Sequence, residues 1–162
     1  MLSHSLTSQR WSAPAHGRIQ ALAEHNERIF ASGALGAGVS LLISGHELVA
    51  PANGVIEPML SGLYWKLIHS DGSQVILAFC SPLHFKLQDD LGIYPKFGKA
   101  IEVFAGDVIA DIQLPKLKRS IGHQQIACMW PDRATGELHW QRHSVRANET
   151  PFVTLIEPHT TD

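Results

Sequence analysis

The chain has 162 residues, of which 44% are hydrophobic and 17% charged, and its formal net charge at neutral pH is −2. That length supplies one domain with a real core and is short for two, and the near-neutral balance leaves no broad field to draw in nucleic acid or an anionic membrane surface. The opening MLSHSLTSQRWS lacks a basic stretch followed by an apolar one, and no run approaches the roughly 20 apolar residues of a membrane span. A cytoplasmic protein is expected, in which Cys80 and Cys128 stay reduced and serve as small apolar residues.

In chain order, a flexible tail is expected over 1–12, a single domain over 13–157 and a second tail over 158–162. Within the domain, short runs of Val, Ile, Leu and aromatic residues recur between Gly, Pro, Asn and Asp. They are GRIQAL (17–22), GVIEPML (54–60), YWKLIHS (64–70), QVILAFC (74–80), AIEVFA (100–105), DVIADIQ (107–113), QIACMW (125–130) and FVTLIE (152–157). Such runs at this spacing, without long amphipathic helices, predict an all-β sandwich or barrel. The segment 88–99, QDDLGIYPKFGK, carries breakers throughout and reads as a loop, and LPKLKR (114–119) as a turn or one helical turn. APAHGRI (13–19) and APANGVI (50–56) echo one another, each a Pro turn and a Gly leading into a strand. Two related β-motifs packed together is the preferred reading, because repeated units need each other to bury their apolar faces.

Ten histidines invite metal and acid–base chemistry. His139 and His143 stand four apart, as zinc ligands do on a helix, but no Glu follows His139 and the surroundings read as loop and strand, so solvated histidines are expected and no metal. His16 and His46 fall in turns and are expected to be exposed. A Gly-rich phosphate loop, zinc-finger cysteine spacing and a Gly-x-Ser-x-Gly elbow are all missing from the sequence, and no cofactor is expected.

Five stretches in order resemble enzyme IIA of the glucose type, from the bacterial phosphoenolpyruvate-dependent sugar phosphotransferase system: APAHGRIQALAEHNERIFASGALGAGV, ELVAPANGVIEPML, SDGSQVILAFC, FAGDVIADIQLPKLKR and ANETPFVTLI. The resemblance covers about 13–157 and implies a β-sandwich built from a duplicated motif. It also implies a phosphorylated histidine at the end of the second hairpin strand, with a helper histidine beside it. A neutral imidazole nitrogen is nucleophilic near pH 7 and yields a phosphoramidate that can pass its phosphoryl group on.

Aligned on Asp71-Gly72, the phosphorylated position is Ala78 and the helper is Tyr64, or Leu63 if a one-residue deletion falls earlier. The family's glycine after the active strand becomes Cys80, its supporting aspartate Pro82 and the threonine before the helper Gly62. Nucleophile and supports are therefore replaced together. His84 and His69 are the candidate substitutes, although strand alternation directs His69 away from the face of Ala78. The apolar ring on which family members receive protein partners corresponds to Phe30, Leu35, Leu60, Tyr64, Ile76 and Ala78. The favoured expectation is a regulatory or partner-binding relative without phosphate on the family position, engaging phosphotransferase-system or regulatory proteins, with no membrane insertion. The alternatives are a phosphoryl carrier in sugar uptake using His84 or His69, and a small-molecule binding module in the vacated pocket.

Overall fold

A computed structural model describes residues 8–156. In chain order its strands are β1 (Ser8–Trp11), β2 (Gly17–Ala21), β3 (Ala37–Ile43), β4 (Glu47–Val49), β5 (Gly54–Met59), β6 (Tyr64–His69), β7 (Gln74–Ala78), β8 (Ile93–Pro95), β9 (Ile101–Val103), β10 (Val108–Ile112), β11 (Gln125–Trp130), β12 (Leu138–His139), β13 (Ser144–Val145) and β14 (Val153–Ile156). Two helices intervene, α1 (Arg28–Ala31) and α2 (Leu114–Ile121). One sheet takes eight strands in the order β13-β2-β3-β11-β7-β6-β5-β9, and two three-stranded sheets run β1-β14-β12 and β4-β10-β8. The core lies between the large sheet and the small ones, where Ile19, Leu41, Leu67, Leu77 and Trp130 meet Trp11, Leu48, Ile109, Ile112 and Leu155.

Period-two alternation builds the central hairpin: Trp65, Leu67, Val75 and Leu77 enter the core, while Tyr64, Lys66 and Ile76 take the other face. The β6–β7 turn closes at Gly72, whose φ of 93° suits glycine, and Asp71 Oδ1 accepts from the Ser73 N–H and hydroxyl. At the other end the Trp65 indole N–H donates to Gly62 O at 2.6 Å, anchoring the β5–β6 turn.

The two APA segments cross each other. Ser12 N donates to Pro51 O at 2.9 Å, and Val49 N to Pro14 O at 2.7 Å, the same bond made from each copy to the other. The reciprocity continues: Ala13 N donates to Glu149 O and Asn148 N to Ala13 O, just as Ala50 N donates to Asp107 O and Gly106 N to Ala50 O. Side chains follow the same scheme, with Asn53 Oδ1 accepting from Ala105 N and His16 Nδ1 from Ala147 N. FAGD (104–107) and RANE (146–149) are thus counterparts, and Asn148 adopts the left-handed backbone (φ 68°) that Gly106 adopts in its copy (φ 92°). Each motif lends hydrogen-bond partners that the other lacks, so the copies are interlocked.

Several expectations need correction. The tail foreseen over 1–12 contains strand β1 from Ser8, paired with β14, and Trp11 is buried in the core; residues 1–7 and the expected tail 158–162 lie outside the described residues. The loop foreseen over 88–99 contains strand β8, paired with β10. The single turn foreseen over 114–119 is a helix of eight residues, with Pro115 in its first turn, Leu117 buried and Gly122 as a left-handed cap. The longest strand, β3, went unpredicted, since Gly36 and Gly38 interrupt its apolar run.

Candidate functional site

Strand register lays one row of side chains across the outer face of the large sheet: Gln20, Ser40, Ala127, Ala78, Tyr64 and Met59. The neighbouring row on that face is Gly38, Met129, Ile76, Lys66 and Glu57. Tyr64 therefore stands directly opposite Ala78, whereas Leu63 is buried in the core. The middle of the first row consists of small side chains, and the chain between β2 and β3 covers it. Phe30, delivered by α1, packs with Leu22 on Ala78, Ala127 and Met129, all buried; Ile29, Leu35, Tyr64 and Ile76 edge the cluster half-buried.

Five of the six anticipated interface residues thus share one cluster, but Phe30 and Ala78 have no exposed surface and form its floor. Leu60 packs instead against the main core, from a turn where it and Ser61 hold positive φ (53° and 58°). The two substitute histidines lie far apart in role. His69 ends β6 on the core side, its ring 5.6 Å from that of Trp11 and its Nδ1 accepting from Asp71 N, five residues along the strand from Tyr64 and on the opposite face. His84 lies in the loop after β7, and its Nδ1 meets Glu27 Oε2 at 2.5 Å.

Glu27, at the start of α1, is the hub of a polar knot that the sequence did not reveal. Its side chain is 11% exposed, and its other oxygen accepts from Ser81 N at 3.3 Å. Burial pushes its pKa up, but the bonds from His84 and Ser81 outweigh that and hold the carboxyl below its usual range. The adjacent Cys80 thiol is pushed up to about 11, first by burial and then by the charge of Glu27, so it is no thiolate nucleophile. Tyr64 is also shifted upward by burial, which keeps its phenol un-ionised near neutrality.

Behind Glu27 lie His25 and His123, both buried, their rings 5.0 Å apart. His25 Nδ1 accepts from Glu27 N at 2.9 Å, which leaves Nε2 as the N–H donor to Gln125 O at 3.2 Å. His123 repeats the first half of the pattern: its Nδ1 accepts from Gln125 N at 3.0 Å. Both ring nitrogens of His25 are engaged, and among the described residues no group of three or more His, Cys, Asp or Glu is arranged to hold a metal ion. His139 lies in β12, while His143 approaches Glu149 at 3.7 Å and bonds Gln141 O. His16 and His46 are exposed. The only local hint of the knot was the His25-x-Glu27 spacing just before Phe30; its partners Ser81, His84 and His123 are distant in sequence.

Two interlocked β-motifs, with a covered cross-strand pair at the end of the central hairpin, define a duplicated β-sandwich of the sugar-permease IIA class. Residues 9–131 match the family model for the phosphoenolpyruvate-dependent sugar phosphotransferase system, EIIA 1, and the chain belongs to that family. Among solved structures it is similar to the glucose permease IIA from Mycoplasma capricolum, with a TM-score of 0.79 and 17% identity over 91% of this chain and 96% of that one. At that identity the likeness speaks for the fold. Comparison with curated protein sequences finds no match. Among the described residues no helix is long and apolar enough to cross a membrane.

Proposed function

We propose that this family member carries no phosphoryl group at residue 78 and acts by docking phosphotransferase-system or regulatory proteins in the cytoplasm. The observation that carries the reading is the Tyr64–Ala78 pair, Ala78 buried in one cluster with Phe30 and Tyr64 half-buried at its edge. A methyl group offers no lone pair, and a half-buried, un-ionised phenol is a weak nucleophile whose phosphoester would be a poor onward donor. The half-buried Leu35, Tyr64, Ile76 and Ile29 supply the apolar contact surface, of the kind found at the centre of protein interfaces. A small-molecule pocket at the vacated position is disfavoured, because Phe30, Ala127 and Met129 fill the space over Ala78.

One observation favours a second reading, a phosphoryl carrier using His84: a buried carboxylate on Nδ1 leaves Nε2 of a ring whose side chain is 64% exposed, as a nucleophilic imidazole requires. Incubation with phosphoenolpyruvate and the general phosphotransfer proteins, followed by intact-mass measurement, separates the two. No mass increment is expected. A stoichiometric phosphoryl increment overturns the first reading, and its loss in His84→Ala would assign the role to His84.

A further inference from the structure

The segment covering the outer row is tied to β11 by the Gln125 side chain, which accepts from Asn26 N and donates to Glu24 O, both at 2.8 Å, and at the head of α1 by imidazole bonds that form only while the rings are neutral. His25 ties Glu27 N, at the head of α1, to Gln125 O on β11. His123 Nδ1 accepts from Gln125 N at 3.0 Å, and its ring braces that of His25 edge to face at 5.0 Å. In both, Nδ1 accepts the N–H two residues further on, a geometry that a ring protonated at Nδ1 cannot keep. The two rings touch edge to face, and His25 also contacts Phe30, at 5.2 Å. Breaking these bonds removes the tie at the head of α1, leaving Glu27 on Ser81 and His84 and Phe30 on its apolar contacts, and touches none of the ladder bonds of β3, β11, β7 and β6.

We propose that His25 and His123 form a proton-operated latch that holds the 22–36 segment over the Ser40–Ala127–Ala78 row and releases it, ahead of global unfolding, when the imidazoles are protonated. The titratable groups that face the pair are Glu27 from α1, with His84 and Cys80 beyond it in the loop after β7, and each imidazole faces the other. Burial, followed by the neighbouring imidazole, lowers His25 to about 4, and burial lowers His123 against the pull of Glu27. Release uncovers a trench of small side chains in which Ser40 Oγ, buried and without a hydrogen-bond partner, is the polar atom. The latch rests on the docking face only for what it uncovers, and its test reads neither phosphorylation nor partner binding.

The test is residue-resolved hydrogen exchange on the full chain between pH 7 and pH 4, with imidazole nitrogen shifts recorded alongside. At pH 7 both rings are expected as the Nε2–H tautomer. Toward pH 4 the protection factors of Glu27, Phe30, Ala31 and Gln125 are expected to fall roughly 100-fold, the ratio set by moving an ordinary histidine to that of His25. Those of Leu41, Leu77 and Cys128 should move only a few-fold. In the double variant His25→Asn, His123→Asn, each side-chain oxygen can still accept the N–H two residues on, and the pH dependence between pH 7 and 5 is expected to vanish, leaving only the limb of Glu27 below it. An Nδ1–H tautomer at either ring, a simultaneous loss of protection throughout the sheet, unchanged protection in the wild type, or a drop between pH 7 and 5 that persists in the double variant would overturn the latch. The first three are read from the wild type and do not depend on the variant folding.

Discussion

Placing an imidazole at residue 78 by Ala78→His tests whether that position is closed by sterics as well as by chemistry. Ala78 has no exposed surface and touches Phe30, Ala127 and Met129. An imidazole there adds five heavy atoms to a filled space, and overpacking of that sort costs about 1–3 kcal/mol. Its ring N–H would enter an apolar cluster without a partner, for about 1–3 kcal/mol more. The combined cost of about 2–6 kcal/mol corresponds to a fall in melting temperature of roughly 5–20 °C for a chain of this size. Adding Phe30→Ala should recover part of the loss, since the ring that must yield is then gone, although Phe30→Ala alone should cost about 3–5 kcal/mol through the cavity it leaves. Thermal unfolding of the two single variants and the double forms a cycle in which strong positive coupling is expected. Additive losses, or an Ala78→His variant as stable as the wild type, would refute the claim that Phe30 occupies the place of the imidazole.

Stability should fall as pH drops from about 6.5 to 4. The folded-state value of His25 is depressed to about 4, so its contribution is complete above the unfolded value and is lost as protons bind the unfolded chain, up to about 3 kcal/mol. Denaturant melts across that range should show this slope, and His25→Asn should flatten it. Glu27 is depressed below its usual 4.5, so its contribution is present above that value and disappears as pH falls below it; Glu27→Gln should remove this lower limb and cost about 1–2 kcal/mol at pH 7, measured by chemical denaturation. Gly38→Ala should be among the most damaging substitutions in β3, because a Cβ would lie 2.0 Å from Cys128 O; soluble yield and circular dichroism check it, and near wild-type stability would contradict the strand packing. Asn148→Gly should be neutral or slightly stabilising, whereas Asn148→Ala should cost about 1 kcal/mol, since φ there is positive and the residue mirrors Gly106.

Much of the architecture was legible in the residues themselves. The hairpin YWKLIHSDGSQVILA alternates so regularly that its strands and turn follow from the pattern, and QIACMW is β11 residue for residue. The APAHG and APANG echo announced a duplication because turn residues obey local dihedral rules. Its second half, FAGD against RANE, was hidden: Gly106 and Asn148 solve the same left-handed conformation with different residues, and only their hydrogen bonds reveal the match.

That residues 64 and 78 carry a phenol and a methyl was likewise a matter of sequence, and neither can act as an imidazole whatever surrounds it. Tertiary structure decided the rest: that Tyr64 rather than Leu63 faces Ala78, that Ala78 is buried in one cluster with Phe30, and that His84 leans on a buried Glu27 while His69 lies against Trp11 on the opposite face of the sheet. The physical reason is range. Alternation and turn chemistry act between neighbours along the chain, whereas burial and the pairing of Glu27 with His84, or of His25 with the backbone of Gln125, exist only once distant segments have packed together.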